Sequence, residues 1–583
     1  MRALLPSPAA LICLLLLGAP ARAGDADDKV LALLEDDLEE LMRRHPTWAS
    51  ERGDRRYDDL LEDESPEALR DAVEHAMLRL EALAEIDRAE LSPAVATHAA
   101  LLGHVLNERI SYAAFHPEQT PVTQLGGPQR DLVELPSQLS FTTDKHFADY
   151  IARLEKVPAF LDQVTANMRA GLEAGRTPPR VTLGEAAEQA LVNGTDAQAK
   201  DPASHPMYPP FLVADHPLAP RAKAAISERV VPAFRKFGEF LRDEYIPKCR
   251  ESIGASESVD GIAWYRAELR HHTTLDLSPD EIHELGAKEV ARIRGEMAAV
   301  IARTGFQGGF KAFTEHLRTD RRFYYTDALD LIDGYRALAK RIDAELPRLF
   351  GRLPRLPYGV KEMPAFIAPA SPTAYYYRGS IENGIPGYFV ANTFRLDQRP
   401  RYEMVPLTLH EAVPGHHLQI ALSQEMEGMP KWRTTLSFTA FVEGWGLYAE
   451  RLGIEMGLYA DPYDDFGRLS YEMWRAMRLV VDTGIHAKGW TRDRAIAYML
   501  ENSALTRQNV EREVDRYIAW PGQACAYKIG ELKIRELREA AERELGAKFD
   551  IRAFHDMILA EGAIPLPLLE ERAKAWIAAC NGK

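Results

Sequence analysis

Leu409-His410-Glu411-Ala412-Val413-Pro414-Gly415-His416-His417-Leu418 is the stretch on which the reading of this chain turns, and it is followed by Phe441-Val442-Glu443-Gly444-Trp445-Gly446. These two segments supply three imidazoles and two carboxylates, with ordinary helical sequence around them. A hydrolytic zinc site needs this composition. Zinc takes imidazole nitrogen and carboxylate oxygen, and a catalytic centre keeps a position open for water. A glutamate beside a ligand can then act as general base, as in the His-Glu-x-x-His signature.

The spacing here departs from that signature. After His410-Glu411 the next histidines come at i+6 and i+7, and on an unbroken helix i+6 lies about 240° round, on nearly the opposite face. Pro414 sits at i+4 from His410, where its ring opposes the His410 carbonyl, and Gly415 tolerates unusual dihedrals. The helix is expected to bulge or break there. Such an interruption can absorb two extra residues and bring His416, or alternatively His417, to the second ligand position. Glu443 in the following apolar helix is the candidate third ligand, since a carboxylate there wants a metal or a partner. Glu450, two turns on, is cast as a group supporting a ligand.

Several separated segments carry a resemblance in the same order. They are His272-Thr273-Thr274 with Leu277-Ser278-Pro279-Asp280-Glu281, Gly384 to Thr393, His410 to Leu418, Asp482 to His486, and Arg516 to Gly530. Over most of the mature chain the sequence resembles the family called domain of unknown function 885. That family in turn resembles the mostly helical zinc peptidases of the thimet-oligopeptidase, angiotensin-converting-enzyme and thermostable-carboxypeptidase type. The resemblance implies peptide-bond hydrolysis of oligopeptides with one Zn2+ per chain, and aligning Gly415-His416 with their Gly-His favours His416 over His417. It also implies an edge strand near the metal helix that pairs with substrate, which would put Tyr388 and Asn392 in contact with it. Tyr527 resembles their tyrosine donor to the oxyanion, a phenol that can hydrogen-bond the developing charge. Gln523 in the same segment is a further candidate substrate contact.

Arg478, Asp482 and His486 recur at i, i+4 and i+8. They form either an ion-pair stripe or a placement of His486 near the oxyanion. Lys528 is either an exposed helix lysine or a ligand for a substrate carboxylate, and Tyr375-Tyr376-Tyr377-Arg378 is a candidate cleft lining. Cys525 is read as packed rather than nucleophilic.

Amphipathic periodicity over Val30 to Arg43, Pro66 to Ile86, Asp144 to Ala174 and Ala219 to Glu244 predicts helices. Ser278-Pro279-Asp280-Glu281 is a helix start, with Ser as N-cap and Glu three residues on. The Pro-, Gly- and aromatic-rich stretch from Leu353 to Arg401 differs, and Gly387 to Thr393 reads as a strand. The expectation is therefore a mainly α, elongated multi-helix fold with a small β element near the site helix. Residues 24–583 form one unit, divisible into 24–270 and a metal-site half, 271–583.

The N-terminus reads as an address. Arg2, an apolar run from Ala9 through Leu17, and Ala21-Arg22-Ala23 before Gly24 predict a secretory signal cleaved after Ala23. Cys13 lies inside the apolar run, which argues against a lipoprotein cleavage box. The mature chain is expected in the periplasm or outside the cell. No later segment has the length of uninterrupted apolar sequence that a membrane span needs. Cys249, Cys525 and Cys580 cannot make a disulfide framework. A formal charge of -16 speaks against nucleic acid.

Two other classes fit the same residues: a non-catalytic periplasmic metal-binding or scaffold protein, and a zinc amidase or esterase on a non-peptide substrate. Glu411 speaks against the first, because metal storage needs no general base. A serine nucleophile is unsupported, since no Gly-x-Ser-x-Gly elbow appears in a strand-to-helix context.

Overall fold

Ser278 opens a helix as its sequence predicts. Its Oγ accepts from the Glu281 N–H at 3.2 Å, and Glu281 Oε2 accepts from the Ser278 N–H at 2.8 Å. The same periodic logic holds along the chain. The computed structural model describes residues 24–212, 216–365, 367–369, 371–381 and 384–582, and these are mostly helical. The expected signal segment, 1–23, lies outside them.

The principal helices are α1 (Asp25–Arg44), α2 (Pro93–Ala113), α3 (Asp144–Ala174), α4 (Gly261–Thr273), α5 (Pro279–Arg303), α6 (Met404–Glu411), α7 (His416–Gln424), α8 (Thr439–Leu452), α9 (Pro462–Lys488), α10 (Arg507–Ala519) and α11 (Ala526–Leu545). The helix expected over Ala219 to Glu244 runs to Lys248, with π turns at Ile226–Val230 and Leu241–Tyr245. Each π turn comes just before a proline, Pro232 or Pro247. Widening the turn there accommodates a ring that would meet a carbonyl in a regular helix.

The β element is a three-stranded sheet of β1 (Tyr358–Glu362), β2 (Ala374–Tyr377) and β3 (Gly387–Ala391), in the order β1-β3-β2. β3 runs parallel to β1 and antiparallel to β2. The strand predicted from Gly387 is therefore the central one, and both its edges are used. It has no free edge for a peptide. Strand order depends on contacts between distant segments, which local alternation does not encode.

Three large hydrophobic cores organise the chain. Val30 and Leu34 of α1 and Leu101 of α2 pack in one core with Phe389 of β3, Leu409 of α6 and Trp445 of α8. Residues between Val122 and Cys249 enclose a second, centred on Ile151, Phe234 and Phe237. α5, α9 and α10 build the third around Met297, Met477 and Val514. The helices at the N-terminus thus share a core with the metal-site segments. No helix among the described residues is long and apolar enough to cross a membrane, and no disulfide joins the described cysteines.

Candidate metal centre

α6 ends at Glu411 and α7 starts at His416, so the interruption at Pro414 is a break between two helices. Ala412 and Gly415 leave the helical region, with ψ of -114° and -128°, and the Val413–Pro414 peptide is cis. The His417 N–H donates to the Ala412 carbonyl at 3.0 Å, stitching the break. A Cβ on Gly415 would lie 2.0 Å from the His410 carbonyl oxygen, so only glycine lets α7 begin this close to α6. Trp445 of α8 donates its indole N–H to the Pro414 carbonyl at 2.8 Å, tying the break to the helix that carries Glu443.

This path turns His416 inward. His410 Nε2 and His416 Nε2 lie 3.4 and 3.6 Å from the same oxygen, Glu443 Oε2, and all three donors fall within 4.8 Å of one another. Two ligand atoms each about 2.0–2.1 Å from a tetrahedral zinc stand about 3.4 Å apart. The donor set and its spacing therefore fit such an ion. The His410 and His416 side chains are 4% and 11% exposed against 21% for Glu443, so the centre opens toward solvent on the glutamate side.

His417 points elsewhere. Its Nε2 donates to the Leu356 carbonyl and its Nδ1 accepts from the Tyr376 hydroxyl, both at 3.0 Å, and this leaves neither nitrogen for a ligand role. Of the two candidates, His416 is the one the fold brings to the centre.

Behind the ligands, His410 donates Nδ1–H to Glu450 Oε1 at 2.8 Å, the carboxylate-imidazole pairing that fixes a ligand's tautomer. Arg475 holds the same oxygen at 3.2 Å. Burial would lower the His410 pKa, but hydrogen bonds to Glu443 and Glu450 hold it up to about 9. Burial lowers His416 to about 4, keeping it neutral. Burial opposes ionisation of Glu443, but the His410 hydrogen bond and nearby positive charge take it down to about 2. Burial, reinforced by the Glu443 charge, pushes Glu411 up to about 7, the range a general base needs.

Two residue sets important to the site were not singled out from sequence: Arg475, and the glycines of α8. A Cβ on Gly446 would sit 2.7 Å from His410 Cε1, and one on Gly444 would meet the Gly530 backbone at 2.5 Å. Two glycines in a helix interior cost about 1 kcal/mol each. That cost was the available signal of close approach.

The Gly444–Gly530 contact brings α11 against α8, with Tyr527 one turn before the crossing. Burial raises the Tyr527 phenol, followed by the charge of Glu443, so the two are electrostatic neighbours. Gln523 Oε1 accepts from Arg516 at 2.7 Å. That oxygen is engaged within the protein rather than free.

Other expectations are corrected too. His486 is fully buried; its Nδ1 accepts from the Ala255 N–H at 3.1 Å and its Nε2 donates to the Tyr517 carbonyl at 2.9 Å. It has no N–H for an oxyanion. Nor do Arg478, Asp482 and His486 form a mutual stripe: Arg478 bonds Glu513 and Tyr517, and Asp482 takes Tyr265 and the Gly522 N–H. Asn392 spends its amide N–H groups on the Ala368, Ser371 and Pro372 carbonyls and its oxygen on the Phe394 N–H. Tyr388 packs under the Lys361 ammonium, on the sheet face opposite Phe389 and the core that holds α6. Lys528 is fully buried among Glu289, Glu472 and Glu531, a charge paired because it is dry. Tyr376 spends its hydroxyl on His417. Cys525 is buried, and burial pushes its thiol well up, as a packed cysteine requires.

By class, this is a mainly α-helical protein with a His-His-Glu donor cluster of two buried histidines and a half-buried glutamate. The chain belongs to the family described as "Bacterial protein of unknown function (DUF885)", whose model matches residues 46–572. A crystal structure of "the putative lipoprotein from Colwellia psychrerythraea" is 28% identical, with 95% of this chain and 100% of that one aligned at a TM-score of 0.87. A second solved structure, of "a putative lipoprotein of unknown function from Shewanella oneidensis", is 19% identical over 94% of this chain and 99% of that one, at a TM-score of 0.73, and shares the fold. No curated protein matches the sequence.

Proposed function

We propose that this protein is an exported zinc metallopeptidase acting on short peptides. The observation that carries the reading is the convergence of His410, His416 and Glu443 within ligand spacing, with Glu411 next in sequence to the first ligand. Zinc held there would lower the pKa of a coordinated water to about 7 and polarise a carbonyl. Glu411 takes the proton of the attacking water and passes it to the leaving amine. Tyr527 donates a hydrogen bond to the tetrahedral oxyanion. Glu450 and Arg475 hold His410 in its ligating tautomer.

β2 supplies the open edge that β3 lacks. The Asn392 N–H donates to the Thr373 carbonyl across from it, so by alternation Tyr375 and Tyr377 bond β3, and the main-chain groups of Ala374 and Tyr376 face outward. An extended peptide can pair there. Export is supported by the N-terminal sequence and by the description of the two structural relatives as lipoproteins.

The test is incubation of protein beginning at Gly24 with a peptide library, read by mass spectrometry, for wild type, chelator-stripped wild type and Glu411→Gln. Cleavage by zinc-loaded wild type alone supports the reading. Equal cleavage by Glu411→Gln, or none by any sample, removes it.

A further inference from the structure

His417 directly follows the ligand candidate His416, yet its imidazole lies against all three strands of the sheet. Its Nε2 is 3.0 Å from the Leu356 carbonyl, two residues before β1. A carbonyl only accepts, so Nε2 carries the ring proton, and Nδ1 of the neutral ring accepts the hydroxyl of Tyr376 in β2 at 3.0 Å. The Tyr358 ring of β1 packs on the imidazole with centroids 4.7 Å apart. A Cβ on Gly387, the first residue of β3, would lie 2.7 Å from His417 Nδ1, so glycine there leaves room for the bond to pass. The whole imidazole is buried.

These contacts tie β2 to the metal centre. His416 and His417 are the first two residues of α7, and neighbours on a helix project about 100° apart. A sheet that grips the His417 ring therefore fixes the rotation of α7 about its axis, and with it the direction from which His416 Nε2 meets Glu443 Oε2 at 3.6 Å. At the other end of the tie, Tyr376 belongs to the strand whose Ala374 and Tyr376 main-chain groups face outward. Its backbone is offered to a peptide while its phenol reaches α7. Ala374, two residues before it, packs in the same core as Leu409 of α6.

We propose that Tyr376 and His417 are positioning residues that set where a peptide paired to β2 lies relative to an ion held by His410, His416 and Glu443. The inference rests on the peptidase reading above. It gives the second histidine of the His416-His417 pair a part in placing the scissile carbonyl rather than in holding metal.

Tyr376→Phe tests it, because only the hydroxyl is lost and the β2 main chain is untouched. With zinc stoichiometry unchanged, kcat on a peptide substrate should fall by about 10- to 10²-fold, the scale of a small misplacement of the reacting carbonyl, with KM nearly constant. Adding Tyr376→Phe to His417→Leu should cost nothing further, since both break the same tie. A raised KM with intact kcat, loss of zinc from Tyr376→Phe, or a further loss in the double variant would overturn the proposal. A second readout needs no turnover. In cobalt-loaded protein labelled with 15N-tyrosine, the pseudocontact shifts of the Tyr375 and Tyr377 amides report where β2 lies relative to the ion, and they should change in Tyr376→Phe. Unchanged shifts overturn the proposal; changed shifts in a protein whose wild type cleaves no peptide would fault the peptidase reading and not the tie.

Discussion

Glu450 Oε1 accepts the Nδ1–H of His410 at 2.8 Å across forty residues of sequence, while the opposite ring nitrogen faces Glu443. One imidazole thereby joins two carboxylates of α8. Because Arg475 also leans on Glu450, the His410 imidazole is braced by a charged pair that is itself buried.

Removing that brace should weaken the metal centre without abolishing it. Glu450→Gln is expected to lower zinc affinity by about 10- to 100-fold, measured by competition with a chromophoric chelator. Glu450→Ala should also destabilise the fold, by about 3–5 kcal/mol, because Arg475 is left buried and unpaired. Wild-type affinity in Glu450→Gln would disprove the bracing role.

The His410 pKa, held up to about 9, makes metal uptake pH-dependent. A metal must displace the imidazolium proton, so zinc binding at pH 7.5 should release about one proton, and affinity should rise about tenfold per pH unit below 9. Calorimetry in two buffers of different ionisation enthalpy reads the proton count. In the metal-free protein the sign is opposite. A folded pKa above the unfolded value of about 6.5 contributes stability that is complete below pH 6.5 and is lost as pH rises through 9.

Gly446→Ala should separate helix from site. Alanine favours a helix interior by about 1 kcal/mol, yet its Cβ would lie 2.7 Å from His410 Cε1. Far-ultraviolet circular dichroism should be unchanged while bound zinc falls well below one per chain. Full zinc content would show that the imidazole can move aside freely.

The two adjacent histidines should behave differently. His416→Ala should release metal. His417→Ala should retain it and instead lose about 1–3 kcal/mol of stability, since Tyr376 and the Leu356 carbonyl lose their partner. Metal content and thermal unfolding of the two variants check this, and release of metal by His417→Ala alone would reverse the assignment.

What the sequence conveyed was local chemistry. Pro414 four residues after His410 predicts an interruption because the clash is with the same chain, and Glu443 among apolar neighbours predicts a need for a partner. The Ser278 cap likewise lies within three residues of its bond. What the sequence concealed depends on segments far away. Lys528 looks like a surface lysine until Glu289, Glu472 and Glu531 surround it, and His486 looks available until Ala255 and Tyr517 occupy its nitrogens. β3 reads as a strand from its own residues, but its central place depends on β1 and β2.

Zinc-edge anomalous diffraction from crystals of the zinc-loaded protein decides whether His410, His416 and Glu443 hold a metal. One strong peak is expected, bounded by His410 Nε2, His416 Nε2 and the Glu443 carboxylate, each about 2.0–2.2 Å away. A peak elsewhere, or none between these three side chains, would contradict it.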